Sequence, residues 1–226
     1  MITYVMGDIH GYYEELVDVL DQCGFDYDND RLISLGDVCD RGNNVVECIR
    51  HLKTIKNLIY IKGNHDDWTE QWLTPKIVKG AWGIHHDDYR LWYSQGGMKT
   101  TKSIEKHDAH EEVFEFLQNA VLYHVDDHNL YVHGGLRNPD EPAERQTPHD
   151  LMWDRSLVSR ARFESISTEP TVKQYDLCFV GHTPTIYYES TVPVKYNNVW
   201  MMDTGICYDG KLSIMDVQTN EFWQNK

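Results

Sequence analysis

The chain has 226 residues, of which 41% are hydrophobic, 12% aromatic and 25% charged, which is typical of a folded globular protein and excludes a disordered one. Its 36 acidic and 21 basic side chains leave a formal net charge of -15 at pH 7, which disfavours binding to nucleic acid or anionic membranes. No apolar run approaches the roughly eighteen residues of a membrane span and no basic leader opens the chain, so we expect a cytoplasmic protein.

The first sixty residues predict an alternation of strands and helices. Short apolar runs predict strands over 2–6, 32–35 and 58–61. Between them, apolar residues at i, i+3, i+4 and i+7 predict helices over 13–20 and 45–52. This order indicates a βαβαβ unit with a parallel sheet.

The remainder of the chain predicts a helical segment followed by a second sheet. Residues 68–119 lack strand alternation and end in an amphipathic stripe, so we expect a helical lid inserted above the functional site. From residue 120 onward, β-rich runs over 121–125, 130–133, 177–180, 199–202 and 212–217 predict a second, mixed or antiparallel sheet. No linker interrupts the chain, so we expect one domain over 1–226.

Chelating side chains follow five of the predicted strands at the point where each strand ends, which is where α/β proteins gather ligands. Six oxygen or nitrogen ligands without a cysteine exceed what one tetrahedral ion uses. They suit two divalent ions, Mn²⁺ in the first place and Fe or Zn²⁺ as alternatives, with a carboxylate bridging the pair. The six are Asp8, His10, Asp37, Asn64, His133 and His182.

A pair of such ions about 3.5–4 Å apart can activate a hydroxide and hold the oxygens of a phosphoryl group. A phosphoryl group also needs rigid cationic donors, and guanidinium binds it with two parallel hydrogen bonds. Arg41 stands four residues after Asp37, in the right place for this role. The pattern therefore predicts hydrolysis of phosphate esters.

Five glycine-containing blocks carry a resemblance to a known family. They are Gly-Asp-Ile-His-Gly at 7–11, Gly-Asp-Val-Cys-Asp-Arg-Gly at 36–42, Gly-Asn-His-Asp at 63–66, His-Gly-Gly at 133–135 and Gly-His-Thr-Pro at 181–184. In order and spacing the chain resembles the phosphoprotein phosphatase family of calcineurin-like metallophosphoesterases, especially its short bacterial and bacteriophage serine/threonine phosphatases. The resemblance implies an α/β fold of two packed mixed sheets flanked by helices, an α/β/β/α sandwich.

The resemblance also implies a role for each site residue. Asp37 would bridge two metals, the first also held by Asp8 and His10, the second by Asn64, His133 and His182. Arg41 and Arg155 would bind the substrate phosphate together with Asn64 and His65. His65 would also protonate the leaving oxygen, oriented by Asp40.

Three functions are compatible with these residues. The first is a phosphatase that hydrolyses phosphoserine and phosphothreonine monoesters, with phosphotyrosine as a further candidate substrate. Its partner would be a phosphorylated protein, a phosphorylated peptide or a small phosphoester. The second is a symmetrical dinucleoside polyphosphate hydrolase, which would cleave diadenosine tetraphosphate and hold adenine with aromatic residues of the lid. The third is a non-catalytic scaffold, whose mark would be a missing ligand, and none is missing. We expect a monomer.

Several other patterns favour structural interpretations. His85-His86-Asp87-Asp88 is expected to be a solvated turn, and the aromatic residues of 68–93 a small core of the lid. Cys39 and Cys207 are expected to be buried structural thiols. Lys99 and Lys102 follow Gly96-Gly97 and could meet a phosphate, but they do not match a P-loop.

Overall fold

The computed structural model describes residues 1–226, with ten strands and eight α-helices. The strands are β1 (Thr3–Met6), β2 (Arg31–Ser34), β3 (Asn57–Tyr60), β4 (Tyr123–Asp126), β5 (Asn129–Val132), β6 (Cys178–Val180), β7 (Val194–Tyr196), β8 (Val199–Met201), β9 (Ser213–Asp216) and β10 (Phe222–Gln224). The helices are α1 (Tyr13–Cys23), α2 (Val45–Leu52), α3 (Asn64–Ile77), α4 (His86–Trp92), α5 (Met98–His107), α6 (His110–Gln118), α7 (Pro148–Trp153) and α8 (Ser156–Phe163).

The first sheet has the order β10-β9-β1-β2-β3 and confirms the predicted βαβαβ start. β1, β2 and β3 run parallel, with α1 and α2 as the crossovers. The assignment of 212–217 to the second sheet is wrong, because β9 pairs antiparallel with β1 in the first sheet. All four residues of β9 are buried, so the strand has no solvent-exposed face from which its sheet could be inferred.

The second sheet has the order β4-β5-β6-β8-β7 and is mixed, as predicted. β5, β6 and β8 are parallel neighbours, whereas β4 and β7 pair antiparallel at the two edges. Strands β7 and β10 are not predicted by the sequence. They have three residues, as β6 and β8 do, but they contain Lys195 and Gln224, whereas β6 and β8 are apolar throughout and were recognisable as apolar runs.

Along each inner strand, successive side chains point alternately toward the other sheet and toward the outer helices. In β1, Val5 faces the second sheet, where it shares a cluster with Tyr131 and Phe179, whose rings stack at 5.1 Å. Its neighbours Tyr4 and Met6 face the outer helices instead. A separate cluster under α7 and α8 covers the outer face of the second sheet. The molecule is therefore the expected α/β/β/α sandwich.

The middle segment is helical, as expected, and only part of it lies over the strand ends. Val113 and Leu117 of α6 are fully buried in the same cluster as α1 and α2. A kinked turn over Tyr93–Gly97, between α4 and α5, carries Gln95 to the strand ends. Here Gly96 has a φ of 122°, and a Cβ at this position would collide with the backbone of Arg41.

Of the sequence patterns interpreted as structural, some agree with the structure and others do not. Trp92 is fully buried against Trp72, whereas Trp82 is 96% exposed, so the aromatic core of this segment is smaller than predicted. The side chain of His86 is 77% exposed, as expected for a solvated segment, but residues 86–88 form the first turn of α4 and not a separate turn. All five cysteines are unpaired, and Cys207 is only partly buried, which corrects the expectation of a buried thiol. No helix is both long enough and apolar enough to cross a bilayer.

Candidate active site

The strand ends bring the six predicted ligands into one buried cluster, in which each residue is at most 5% exposed. Ligand atoms of Asp8, His10 and Asp37 lie within 4.8 Å of one another, and so do those of Asp37, His133 and His182. Asp37 belongs to both groups. The remaining ligand, Asn64, lies beside the second group, since its Oδ1 is 3.1 Å from Nε2 of His133.

Unusual backbone conformations aim these side chains at a common centre. Five site residues have a positive φ, which costs free energy for a residue with a Cβ and persists only where the surroundings enforce it. They are His10 (50°), Asp37 (52°), Asp40 (73°), Arg41 (66°) and His182 (59°). Gly63 and Gly181 are required for a different reason, because a Cβ there would strike the carboxylates of Asp37 and Asp8.

Backbone carbonyl groups orient two of the histidines. Nδ1 of His10 donates to the carbonyl oxygen of Cys39 at 2.7 Å, and Nδ1 of His133 donates to that of Leu35 at 2.7 Å. Since a carbonyl oxygen only accepts, each ring carries its proton on Nδ1 in these bonds. Nε2 of each ring then faces Asp37, at 3.9 Å for His10 and 3.4 Å for His133.

The electrostatics of the cluster favour bound cations. Burial lowers the pKa of His10 and His182 well below the usual value, so both rings are neutral and able to coordinate. Burial, reinforced by the neighbouring Asp203 carboxylate, raises the pKa of Asp8 well above its usual value. Despite burial, the Asp37 carboxylate raises the pKa of His133 to about 10. The carboxylates of Asp8, Asp37 and Asp203 are thus buried close together, and bound cations would offset their mutual repulsion.

One atom tests directly whether divalent ions fit this cluster. Nε2 of His182 is buried and has no hydrogen-bond partner in the protein. A buried polar atom without a partner is costly, and a metal ion would satisfy it. Together with a donor set of carboxylates, imidazoles and an amide, this orphaned nitrogen fits two divalent ions of the Mn²⁺, Fe or Zn²⁺ type.

His65 and Asp40 form a buried pair beside the ligand cluster. Nδ1 of His65 donates to Oδ2 of Asp40 at 2.6 Å. The other oxygen, Oδ1, accepts hydrogen bonds from Nε1 of Trp92 at 3.1 Å and from Oγ1 of Thr100 at 2.6 Å. Burial nevertheless raises the pKa of Asp40 above its usual value. The carboxylate that orients His65 is therefore fixed by the middle segment of the chain.

Arg41 is held between His65 and the 3₁₀ turn over Ile206–Tyr208. Its Nη2 donates to Nε2 of His65 at 3.1 Å, and its Nη1 donates to Sγ of Cys207 at 2.8 Å. The guanidinium also lies 5.4 Å from the ring centre of Tyr208. Burial raises the pKa of Cys207 to about 11, so this sulfur is a neutral thiol and not a nucleophile.

Arg155 lines the same cavity as the ligand cluster, a space of about 180 Å³ that also includes Arg41 and His65. The neighbouring Asp154 does not pair with it. That carboxylate instead caps α8 through the backbone N–H of Leu157 and lies 3.9 Å from Arg137. The guanidinium of Arg155 is exposed and therefore available to an anion in the cavity.

Sequence reasoning missed what Asp66 does. Its carboxylate accepts hydrogen bonds from the backbone N–H groups of Asp37, Cys39 and Gly63, and from the hydroxyl of Tyr60 at 2.7 Å. It thereby holds the loop that carries Asp37. The available signal was its position at the third residue of α3, where an acidic side chain can reach back to the preceding loop.

Comparisons with known proteins identify the family of the chain. A family model described as calcineurin-like phosphoesterase matches residues 1–189. The chain is 25% identical over 225 residues to serine/threonine-protein phosphatase 1 of Salmonella typhimurium (strain LT2), covering 96% of this chain and 92% of that protein. It is 28% identical over 233 residues to the asymmetrical bis(5'-nucleosyl)-tetraphosphatase of Halalkalibacterium halodurans, covering 96% and 91%.

Solved structures share the fold. A metallophosphoesterase from Sphaerobacter thermophilus matches with a TM-score of 0.61 at 18% identity, over 100% of this chain and 88% of that one. At this identity the likeness concerns the fold, namely the two packed sheets and their helices.

Proposed function

The chain belongs to the calcineurin-like phosphoesterase family, and we propose that it is a metal-dependent phosphoprotein phosphatase that hydrolyses phosphoserine, phosphothreonine and also phosphotyrosine monoesters. The observation that carries the proposal is one cavity of about 180 Å³ that is lined by five of the six ligands, two arginines and His65. A full-length relative named as a serine/threonine phosphatase supports the choice of substrate.

In this proposal Asp8, His10 and Asp37 hold one metal, and Asp37, Asn64, His133 and His182 hold the other. Two divalent ions, when bound, activate water for attack on phosphorus and neutralise charge on the phosphoryl oxygens. Burial keeps the rings of His10 and His182 neutral, and the carbonyl acceptors of His10 and His133 hold the Nδ1 proton so that Nε2 is the atom that would face a metal. Mn²⁺ is the proposed metal.

The remaining residues act on the substrate itself. Arg41 and Arg155 bind the phosphate oxygens, and Asn64 and His65 complete this binding site. When Arg41 turns from Nε2 of His65 to the substrate phosphate, His65 in its protonated form donates from Nε2 to the leaving oxygen, which a serine alkoxide requires. Asp40 accepts from Nδ1 of the same ring and thereby holds the imidazole in the orientation that presents Nε2 to the cavity.

A second candidate is hydrolysis of a dinucleoside polyphosphate, because a relative with that name covers 96% of the chain. The observation in its favour is a tyrosine-lined groove beside the cavity, with Tyr12, Tyr93 and Tyr208, on which adenine could stack. The scaffold alternative has no such support, since every proposed ligand lies in the cluster.

One assay separates the two enzymes. With Mn²⁺ present, the protein is given a phosphoserine peptide and, separately, diadenosine tetraphosphate at equal concentration. We expect a higher kcat/KM for the peptide. A higher value for the dinucleotide would replace the proposed function by the second candidate, and turnover of neither would support the scaffold.

A further inference from the structure

A groove of about 610 Å³ adjoins the catalytic cavity and has no role in the chemistry proposed above. It shares Arg41, Gln95 and Tyr208 with the cavity, so a molecule whose phosphate enters the cavity can continue into the groove. The cavity itself, at about 180 Å³, has space for the phosphate and little else. The rest of any larger substrate must therefore lie outside it, and the groove is contiguous with it.

A row of lysines on α5 begins in this groove and continues past it. Lys99 lines the groove, and with Lys102 and Lys106 it also lines the next depression along α5. The three residues have i, i+3 and i+7 spacing, which puts them on one face of a helix over about 10 Å.

The first two lysines of the row are free to bind an anion. No carboxylate lies within 4.0 Å of either Lys99 or Lys102, whereas Lys106 pairs with Glu47 at 3.2 Å. The chain as a whole carries a net charge of -15, so an acidic partner would be repelled from most of its surface. Arg41 and Lys99 are the charged residues that line the groove, and no carboxylate lines the groove or the adjoining depression.

We propose that the groove and the lysine row, Lys99 and Lys102 above all, bind acidic residues that flank the phosphorylated residue of a peptide substrate. A nucleotide concentrates its negative charge in the phosphate chain, which belongs at the metals and arginines. It has no charge left for Lys102, which lies beyond the groove. An extended acidic peptide, by contrast, has further negative charges that can reach Lys102. This inference rests on the proposed phosphatase function and specifies its substrate class.

The test uses the full-length protein loaded with Mn²⁺ and three phosphoserine peptides. One has three acidic residues before the phosphoserine, one has them after it, and one has neutral residues on both sides. We expect one acidic peptide to exceed the neutral one in kcat/KM by about 3- to 30-fold, mainly through KM, as two exposed charge pairs allow. The advantage should shrink as salt is raised.

The double variant Lys99→Ala/Lys102→Ala should lose this preference and keep its rate on p-nitrophenyl phosphate, which has no flanking residues. A matched control is Lys195→Ala, an exposed lysine on β7 in a separate depression, and it should keep the preference. The inference is overturned if the wild type hydrolyses all three peptides equally, a result that leaves the phosphatase function intact.

Two other results would also overturn it. An equal loss of p-nitrophenyl phosphate turnover in the double variant would mean that the lysines act on the phosphate group itself. Hydrolysis of diadenosine tetraphosphate without hydrolysis of any peptide would remove the proposed function on which the inference rests, and this outcome is distinguishable from equal rates on the three peptides.

Discussion

Two sides of the catalytic cavity are built in different ways. The metal side consists of the ligand cluster, namely Asp8, His10, Asp37, Asn64, His133 and His182. The acid side consists of Asp40, Arg41 and His65. The ligands lie at strand ends, and backbone carbonyls of Leu35 and Cys39 orient two of them. The acid side instead depends on side chains from distant segments, Trp92, Thr100 and Cys207.

Because the two sides are built differently, substitutions in each should change different properties of the protein. The metal side is formed by residues at the ends of strands, so substitutions there should alter metal content and activity together. The acid side is supported by packing of the middle segment, so changes there should alter the chemistry and leave metal content unchanged.

Removal of metal should have the largest effect, because it disables the whole metal side. Excess chelator followed by dialysis should abolish hydrolysis of phosphoserine peptides. Added Mn²⁺ should restore it better than Ca²⁺, whose preference for six to eight oxygen ligands suits a histidine-containing cluster poorly. Full activity of the chelated protein would contradict the metal-dependent proposal.

Substitution of the ligand shared by both metals should reduce metal content and activity more than substitution of an unshared ligand. Asp37→Asn should weaken both metals and abolish turnover, since Asp37 belongs to both ligand groups. His10→Asn should weaken mainly one metal, and high Mn²⁺ should recover part of its activity. Metal content measured by plasma mass spectrometry, together with activity at increasing Mn²⁺, checks both expectations. Equal and complete rescue of the two variants would argue against a bridge at Asp37.

On the acid side, His65→Asn should separate chemistry from metal binding. We expect kcat for phosphoserine peptides to fall about 10²–10⁴-fold, the range for a lost general acid, with a much smaller loss for p-nitrophenyl phosphate. An aryl oxide leaves without much protonation, whereas a serine alkoxide does not. Metal content should stay at the wild-type level. Equal losses on alkyl and aryl phosphates would assign His65 to phosphate binding instead.

The smallest effects should come from substitution of Asp40 and of the groups that hold its carboxylate. Asp40→Asn should lower kcat by about 10- to 100-fold, in the range for partners that orient a functional histidine. Thr100→Val removes one hydrogen bond to Asp40 and should lower kcat by about 2- to 10-fold. Thr101→Val is the matched control, because Thr101 donates to the carbonyl of Met98 instead. A control variant as impaired as Thr100→Val would mean that α5, and not Asp40, is affected.

The two sides also differ in how far the sequence predicts them. The metal side follows from short blocks in which a strand runs into a chelator, because strand direction alone places those residues at one edge. Asp40, Arg41 and His65 stand in the same blocks, so their presence was predictable as well. Their supports were not. Trp92 and Thr100 are separated from Asp40 by 52 and 60 residues, and only the packing of α4 and α5 brings them together.

The same reason explains the errors in the fold. β9 belongs to the first sheet because it pairs with β1, about 210 residues earlier in the chain, and no local pattern records that partnership. The exposure of Cys207 likewise depends on the turn that places it against Arg41. Local periodicity predicted which segments are strands and helices, whereas contacts between distant segments decided their neighbours.

The central claim is a pair of metals joined through Asp37, and it can be tested without an activity assay. The chelated protein is titrated with Mn²⁺ while metal stoichiometry and the electron paramagnetic resonance spectrum are recorded. We predict two Mn²⁺ per chain and an exchange-coupled signal, which Asp37→Asn abolishes. One Mn²⁺ per chain, or two with uncoupled signals in the wild type, would contradict the bridged pair.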